Sequence, residues 1–126
     1  MGAGIIMRAA HYPGRAPIDA YGNGGFRFAD MSHRGAILIL PSGIHGWNSA
    51  GLDATAFDPV VAERAGFDLL LIGTGASHAV LPPALSRMLV ESGVRFEVMA
   101  TGPAVRTYNV LVAEERAVAA ALLAVD

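Results

Sequence analysis

The chain has 126 residues and a formal net charge of −2, with 53% hydrophobic and only 16% charged residues. This composition indicates one compact domain, 1–126, and excludes intrinsic disorder. Cysteine and lysine are absent, so thiolate catalysis, disulfides, cysteine metal sites and Schiff-base chemistry are excluded. The nine basic residues are all arginines scattered along the chain, which does not fit a nucleic-acid-binding protein.

The predicted elements begin after an N-terminal extension, residues 1–16, which we expect to be partly disordered. A frayed or strand-forming start is favoured here, and a transit peptide is the alternative. The stretch "YGNGGFRF" then predicts a β-hairpin, because Asn-Gly and Gly-Gly supply the positive φ angles that tight turns need. Its strands are expected at about 17–21 and 25–30.

A continuous apolar run, "RGAILILP", follows and is typical of a strand buried on both faces. The stretch "SGIHGWNSAGLD" is interpreted as a glycine-rich loop, and "ATAFDPVVAERAG" has apolar residues near helical spacing. A second buried strand, "FDLLLIG", leads into the loop "TGASHAVL". Pro82 and Pro83 then open another helix, since proline is tolerated in a first helical turn.

A third strand, "VRFEVMA", precedes a helix in "TGPAVRTYNVL". Strands that alternate with helices favour an α/β fold with a parallel sheet and right-handed crossovers. The tail "EERAVAAALLAVD" is ambiguous. Its Ala and Leu content favours a helix, whereas residues 117–125 also fit a buried strand.

A candidate site follows from this order, because ligands of open α/β sheets bind beyond the carboxyl ends of the strands. Three loops are expected there, "PSGIHGWNS", "GTGASH" and "TGPAVR", each with Gly beside Ser or Thr. Helix N-termini in such loops favour anions. The candidate ligand-binding residues are Gly73, Thr74, Gly75, Thr101, Gly102, Arg106, Thr107 and Asn109, with His45, Trp47 and His78 at the rim.

Each of these residues also has a structural interpretation. Gly73–Gly75 lacks the third glycine of a dinucleotide fingerprint, so a simple turn explains it about as well, and no cofactor is expected. His45 and Trp47 are equally explained by covering apolar surface. The four histidines, which include His11, lack metal-ligand spacing, so no metal site is expected. Glu97 would need an ion pair with an arginine such as Arg95 or Arg106 if its strand is central.

The most specific prediction concerns the burial of Arg106. Helical phasing places it opposite the apolar stripe of its helix, yet Val110 and Ala113 flank it on that side. Because a helix that is apolar all round is covered on both faces, we expect Arg106 to be at least partly enclosed. An enclosed guanidinium needs a carboxylate, carbonyls or a bound anion, so structural anchoring and ligand or partner binding both remain open.

The stretches "YGNGGFRF", "GAILILPSG", "DLLLIGTG" and "FEVMATGPAVRTYNVL", with the Ala-rich tail, resemble a family of unknown biochemical function. That family includes mitochondrial complex I assembly factor 3, an adipogenesis-associated human relative and many short bacterial members. The resemblance implies a three-layer fold. Its mixed, mainly parallel central sheet has helices on one side and a helix plus the hairpin on the other. It also implies that the last strand, antiparallel to its neighbours, occupies residues 117–125.

The resemblance implies a non-catalytic binding or assembly module with no established enzyme activity. A protein partner or homo-oligomer is expected, and also peripheral association with a membrane complex through a partner. No apolar run is long enough for membrane insertion, and we expect a cytoplasmic protein. Many relatives carry Cys where this chain has Val105, so a thiol role there is excluded. The alternative is a small-molecule or anion-binding protein with its site at the carboxyl edge of the sheet. Enzyme activity is the least supported extension, because no general base stands near a nucleophile.

Overall fold

A computed structural model describes residues 12–48 and 51–126, so the predicted start of the chain before Tyr12 lies outside the described residues. The strands are β1 (Ile18–Gly22), β2 (Gly25–Phe28), β3 (Met31–Arg34), β4 (Ala36–Leu40), β5 (Gly43–Trp47), β6 (Leu69–Gly73), β7 (Phe96–Met99) and β8 (Val118–Leu122). The helices are α1 (Asp58–Ala62), α2 (Pro83–Glu91) and α3 (Thr101–Ala113). Within the described ranges, no helix is both long and apolar enough to cross a membrane.

The central sheet has five strands in the order β5-β4-β8-β6-β7. The β8 strand runs antiparallel to β4 but parallel to β6, and β7 is also parallel to β6. The mixed sheet is thus confirmed. The expectation that the last strand is antiparallel to its neighbours is wrong on the β6 side. Consequently β4 points the opposite way from β6 and β7.

The Ala-rich tail forms the central strand β8, as the resemblance implied. Ala119, Ala120 and Ala121 are all fully buried, between β4 and β6 within the sheet and between two helical layers above and below it. Tertiary burial here overrides the helix propensity of alanine. The small side chains also let α3 pack closely over β6 and β8.

The second sheet has three antiparallel strands in the order β1-β2-β3. Its predicted hairpin is confirmed: Asn23 and Gly24 occupy the two-residue turn with φ of 53° and 80°. The third strand, "MSHR", was not predicted, because it contains a single apolar residue. Pairing with β2, from Phe28 opposite Met31 to Gly25 opposite Arg34, holds it in place.

The three predicted layers are confirmed. One face of the central sheet packs against α1 and α2 through a core that includes Leu38, Leu70, Ile72, Phe57 and Leu85. The other face packs against α3 and the three-stranded sheet. That second core includes Ile37, Ile39, Leu71, Phe26, Phe28, Val105 and Tyr108.

Two expectations between β4 and β6 are wrong. The supposed glycine-rich loop contains β5, which pairs antiparallel with β4 over its whole length and buries Trp47. Short 3₁₀ turns at 54–57 and 64–66 flank a short α1 instead of one continuous helix. Pro59 explains the break on the N-terminal side, because it has no N–H to continue a helix across that point.

Candidate functional site

The carboxyl ends of β6, β7 and β8 meet at one edge of the central sheet. The loop after β6 and the start of α3 lie against each other there, since the Thr74 N–H donates to the Met99 carbonyl over 2.9 Å. The loop after β4 leaves at the opposite edge because that strand runs the other way. The expected convergence of three loops is therefore wrong; two of the three meet.

Thr101, at the start of α3, is fully buried and fully hydrogen-bonded. Its hydroxyl donates to the Leu123 carbonyl over 2.7 Å and accepts the Gly75 N–H over 2.9 Å. Its own N–H donates to the Gly75 carbonyl over 2.9 Å. Thr101 thus ties together the β6 loop, α3 and the end of β8, and every hydrogen bond of its hydroxyl is made inside the protein.

The rest of the "GTG" segment is also held by hydrogen bonds and close packing inside the chain. The Thr74 hydroxyl donates to the Ser77 carbonyl over 2.7 Å and accepts the Ala79 N–H over 3.1 Å, which fixes the loop after β6. A Cβ on Gly73 would lie 2.9 Å from Thr101 Oγ1 and 3.1 Å from its Cα. Glycine is required at this position because two backbones approach closely.

Tyr108 and Asn109 join α3 to the segment that enters the small sheet. The Tyr108 hydroxyl donates to the Ala16 carbonyl over 2.9 Å. The Asn109 side chain accepts the Ile18 N–H over 2.8 Å and donates to the Ile18 carbonyl over 2.9 Å. These contacts form a latch between layers, and they account for Asn109, which sequence analysis assigned to a site.

The buried phenol of Tyr108 is held in its neutral form. Burial raises its pKa to about 12, and the positive charge of Arg15 and the hydrogen bond to Ala16 offset only part of that rise. The group therefore acts as a hydrogen-bond donor at every physiological pH. It does not act as a base.

Arg106 is exposed, so the expectation of enclosure is wrong. Within residues 12–48 and 51–126, no layer covers the back of α3, where Val110 is 56% exposed despite its apolar side chain. Arg106 forms no hydrogen bond or ion pair with the rest of the described chain. Thr107 is half-buried and its hydroxyl lies 3.8 Å from the Met99 sulfur, a weak contact.

Tyr21 brings a second free polar group to the start of α3. A Cβ on Gly102 would lie 2.5 Å from the Tyr21 hydroxyl and 3.6 Å from Arg106 Nη1. The hydroxyl and the guanidinium therefore both lie near Gly102, on the side where a side chain would project. Sequence analysis missed Tyr21, because it belongs to the hairpin and reaches α3 only through the packing of the two sheets.

The three proposed rim residues do not surround this edge. Trp47 is buried, donates from its indole N–H to the Ala56 carbonyl over 3.0 Å and meets Phe57 edge-on with centroids 5.1 Å apart. His45 lies in the middle of β5, at the far side of the sheet from β6 and β7. Only His78, exposed in the loop after β6, remains near the candidate residues.

A polar cluster that sequence analysis did not predict lies at the opposite edge. The Ser42 hydroxyl donates to Glu63 Oε2 over 2.7 Å and lies 2.8 Å from His45 Nε2. Since its proton points to Glu63, His45 donates to the serine oxygen and does not act as its base. The Ser42 N–H also donates to Glu63, over 2.8 Å, so the cluster fastens the β4–β5 turn to the end of α1.

The predicted pairing of Glu97 is wrong as well. It lies on an edge strand and is exposed, and it forms no ion pair with Arg95 or Arg106. Within residues 12–48 and 51–126, no three His, Asp or Glu side chains are grouped to hold a metal ion. His11 lies outside those residues.

Comparison with known proteins agrees with the fold. An uncharacterised protein of Rhodobacter capsulatus is 44% identical over 94% of this chain and 93% of its own. A crystal structure described as an outer membrane protein from Bartonella henselae superposes with a TM-score of 0.88. It is 54% identical and covers 92% of this chain and 100% of its own.

A more distant relative carries a functional name. NADH dehydrogenase [ubiquinone] 1 alpha subcomplex assembly factor 3 of Xenopus tropicalis is 30% identical over 84% of this chain. The match spans 60% of that relative's length. The model of a family described as proteins of unknown function (DUF498/DUF598) matches residues 18–123. The resemblance is confirmed: the chain belongs to this family.

Proposed function

We propose that the chain is a non-catalytic assembly module that binds an extended segment of a partner protein along the open edge of its central sheet. The observation that carries the proposal is the unpaired outer backbone of β7, which lies at the edge of the sheet. The polar residues of the "TGPAVRTYN" segment support it indirectly. Thr101, Tyr108 and Asn109 direct their hydrogen bonds into the fold, which leaves few groups at that edge for chemistry on a substrate.

The β7 strand is the outermost strand on its side of the sheet. Leu70 opposes Phe96 in the ladder with β6, and the Leu70 N–H donates to the Arg95 carbonyl. In a parallel ladder, alternate residues bond to the neighbouring strand. The N–H and C=O groups of Phe96 and Val98 therefore point away from β6, ready to pair with an added strand.

Side chains along this edge fit such a partner. Phe96 and Val98 are half-buried and continue the apolar core beneath α2. Arg95 and Glu97 project from the opposite face and are exposed. Charged side chains on an edge strand also discourage unselective aggregation. Alternating charges would favour a partner strand with complementary charges, because cross-strand pairs of opposite sign are stabilising.

A proline substitution tests the proposal sharply. Val98→Pro removes one of the two outward N–H groups of β7, that of Val98, and proline is tolerated on edge strands at such positions. Val98→Ala is the matched control, because it shortens the same side chain and keeps the donor. The tagged chain and both variants are used to co-purify partners from native lysate, with quantitative mass spectrometry. A protein retained by wild type and Val98→Ala but lost with Val98→Pro is expected; equal recovery with all three refutes the proposal.

A second copy of the chain is the other occupant that this experiment separates. Antiparallel self-pairing centred on Phe96 places Arg95 opposite Glu97 of the second copy, whereas centring on Glu97 places like charges opposite each other. Only the first register is favourable. Sedimentation of the purified chain distinguishes a homodimer from a monomer that awaits a different partner.

The named relatives support the proposed assembly role, and the identity of the partner can be tested directly. If the partner is a component of a membrane NADH dehydrogenase, the chain associates with the membrane only through that partner. Cell fractionation then finds the free chain in the cytoplasm, and the membrane-bound fraction disappears with Val98→Pro. Membrane binding that persists in that variant contradicts this part of the proposal.

A small-molecule function remains the second candidate because of the free groups around Gly102. Arg106 and the Tyr21 hydroxyl both face this glycine, and both are accessible to an anion. The proposed site also includes Gly73–Gly75, Thr107 and Asn109, with His78 at its rim. Because a ligand stabilises the folded state by mass action, a thermal screen of anionic metabolites tests it. A stabilising compound whose effect is lost in Arg106→Ala supports this function, and no shift with any compound contradicts it.

A further inference from the structure

The outer face of the three-stranded sheet carries a depression of about 430 Å³ that neither proposed function uses. It lies over the "YGNGGFRF" hairpin, a motif of the sequence that otherwise has only a structural role. Residues of β1, β2 and β3 line it, and they include Arg27 and Arg34. A volume of this size is within the range of small-molecule sites, about 300–1,000 Å³.

Strand register explains the shape of the depression. One cross-strand row on the outer face consists of Ala20, Arg27 and Ser32, and the next consists of Gly22, Gly25 and Arg34. All of these except the arginines are small or have no side chain. The two arginines therefore stand as walls around a floor formed largely by backbone.

The floor is kept open by the geometry of the sheet. A Cβ on Gly25 would lie 2.1 Å from the His33 carbonyl oxygen, so only glycine is accommodated there. Gly22 has a φ of 128°, which also disfavours a side chain. The fold thus requires the glycines, and the access to backbone that they give a ligand is a consequence of that requirement.

The charge of the depression is uncompensated. Arg27 and Arg34 are diagonal neighbours on adjacent strands, a placement that brings Cβ atoms to within about 8 Å. Both are exposed, and neither forms an ion pair or hydrogen bond with the rest of the described chain. Arg34 Nη1 lies over the turn, 3.7 Å from where a Cβ of Gly24 would be. The lining contains no Asp or Glu.

The nearest acids do not neutralise this pair. Asp19 lies at the bulge of β1 and Asp30 in the β2–β3 turn, and both make no ion pair with either arginine. Asp126 follows Val125, whose carbonyl accepts the Gly24 N–H over 2.8 Å, and it is likewise unpaired. Two like charges on neighbouring strands of one sheet are unfavourable unless an anion offsets them.

We propose that this depression binds the phosphate group of a small phosphate monoester. A dianion matches two unpaired guanidiniums, each of which can offer a bidentate pair of N–H donors to phosphate oxygens. The Ser32 hydroxyl and the Asn23 amide lie at the margins for further hydrogen bonds. Ala20 and the glycine backbone of the floor provide uncharged surface for the organic part of the ligand.

The experiment is a two-dimensional ¹H–¹⁵N NMR titration of the full chain at constant ionic strength. The probes are glycerol 3-phosphate, inorganic phosphate and, as a monoanion control, acetate. Saturable shifts confined to the amides around Gly25, Arg27 and Ser32 are expected with both phosphates, with acetate much weaker. If inorganic phosphate shifts these amides as strongly as glycerol 3-phosphate does, the site binds free phosphate, and the proposal of a monoester ligand is overturned.

Four variants distinguish binding at this site from nonspecific attraction of anions to exposed arginine side chains. Arg27→Gln and Arg34→Gln are each expected to raise the Kd for glycerol 3-phosphate by about tenfold or more, because each removes one charged bidentate donor. Arg87→Gln and Arg64→Gln, at exposed positions outside both candidate sites, should change it by less than about twofold. Both Arg27 and Arg34 are exposed, so folding should persist, and thermal melting checks this. Equal effects of all four substitutions, or no saturable shift, overturn the proposal.

Discussion

Replacing Asn109 with alanine tests whether the polar residues of α3 are a structural latch. The substitution removes two hydrogen bonds, of 2.8 and 2.9 Å, to the backbone of Ile18, a residue only 3% exposed. A neutral hydrogen bond contributes about 0.5–1.5 kcal/mol net, and a buried group left without a partner costs about 1–3 kcal/mol. We therefore expect Asn109→Ala to lower the free energy of unfolding by about 2–4 kcal/mol.

The assay is urea unfolding at neutral pH. The m value, which is the dependence of the unfolding free energy on urea concentration, should be the same in all variants if each unfolds in the same transition. Asn109→Asp retains the acceptor but loses the donor to Ile18, so its loss should fall between those of wild type and Asn109→Ala. Thr107→Ala, on the same helix, removes only a weak sulfur contact and should cost less than about 1 kcal/mol. If Asn109→Ala loses no more stability than Thr107→Ala, the latch is refuted and Asn109 is available for a ligand.

Three further predictions concern other contacts. The Tyr108 pKa rises from 10.0 to about 12 on folding, so the folded state binds the proton more tightly and stability should fall from pH 10 towards 12. The free energy of unfolding, from urea titrations, should fall by about 1.4 kcal/mol per pH unit in this range, and Tyr108→Phe should remove this slope; an unchanged slope in the variant contradicts this. Thr101→Val should cost about 2–3 kcal/mol in urea unfolding and Thr101→Ser much less, because only valine lacks the hydroxyl. If the chain sediments as a homodimer, Glu97→Arg should weaken it and the added exchange Arg95→Glu should restore it; dimers insensitive to both substitutions contradict the Phe96-centred register.

The alkaline experiment is unusually clear in this protein. Lysine and cysteine, whose side chains titrate at alkaline pH in most proteins, are both absent. Burial raises the pKa of the Tyr108 phenol to about 12. A difference between wild type and Tyr108→Phe in that range therefore reports on this single group.

Local patterns were sufficient to predict much of the fold. The Asn-Gly turn requires positive φ, and the apolar runs that became β4 and β6 were long enough for strands and flanked by turn residues. Pro82 and Pro83 marked the start of α2. The strand β5 was missed because Gly43 and Gly46 hide its alternation, and β3 because it has almost no apolar side chains. Both are held by pairing with a neighbouring strand, which no local pattern reports.

The candidate site was predicted less well, for a different physical reason. Tyr108 and Asn109 bond to backbone groups about 90 residues earlier in the chain, at Ala16 and Ile18, and such partners leave no signature near the polar residues themselves. Helical phasing correctly placed Arg106 opposite the apolar stripe of α3. It could not reveal that no third layer covers that face, because an apolar residue such as Val110 can also remain in solvent.

Amide hydrogen exchange along β7 tests the proposed function most directly. The protein that co-purifies with wild type is added at saturating concentration, and exchange is followed residue by residue. The amides of Phe96 and Val98, which point away from β6, should exchange at least about tenfold more slowly in the complex. The Glu97 amide, which the ladder register directs towards β6, should change little. Unchanged exchange at Phe96 and Val98 in the saturated complex would contradict strand addition at this edge.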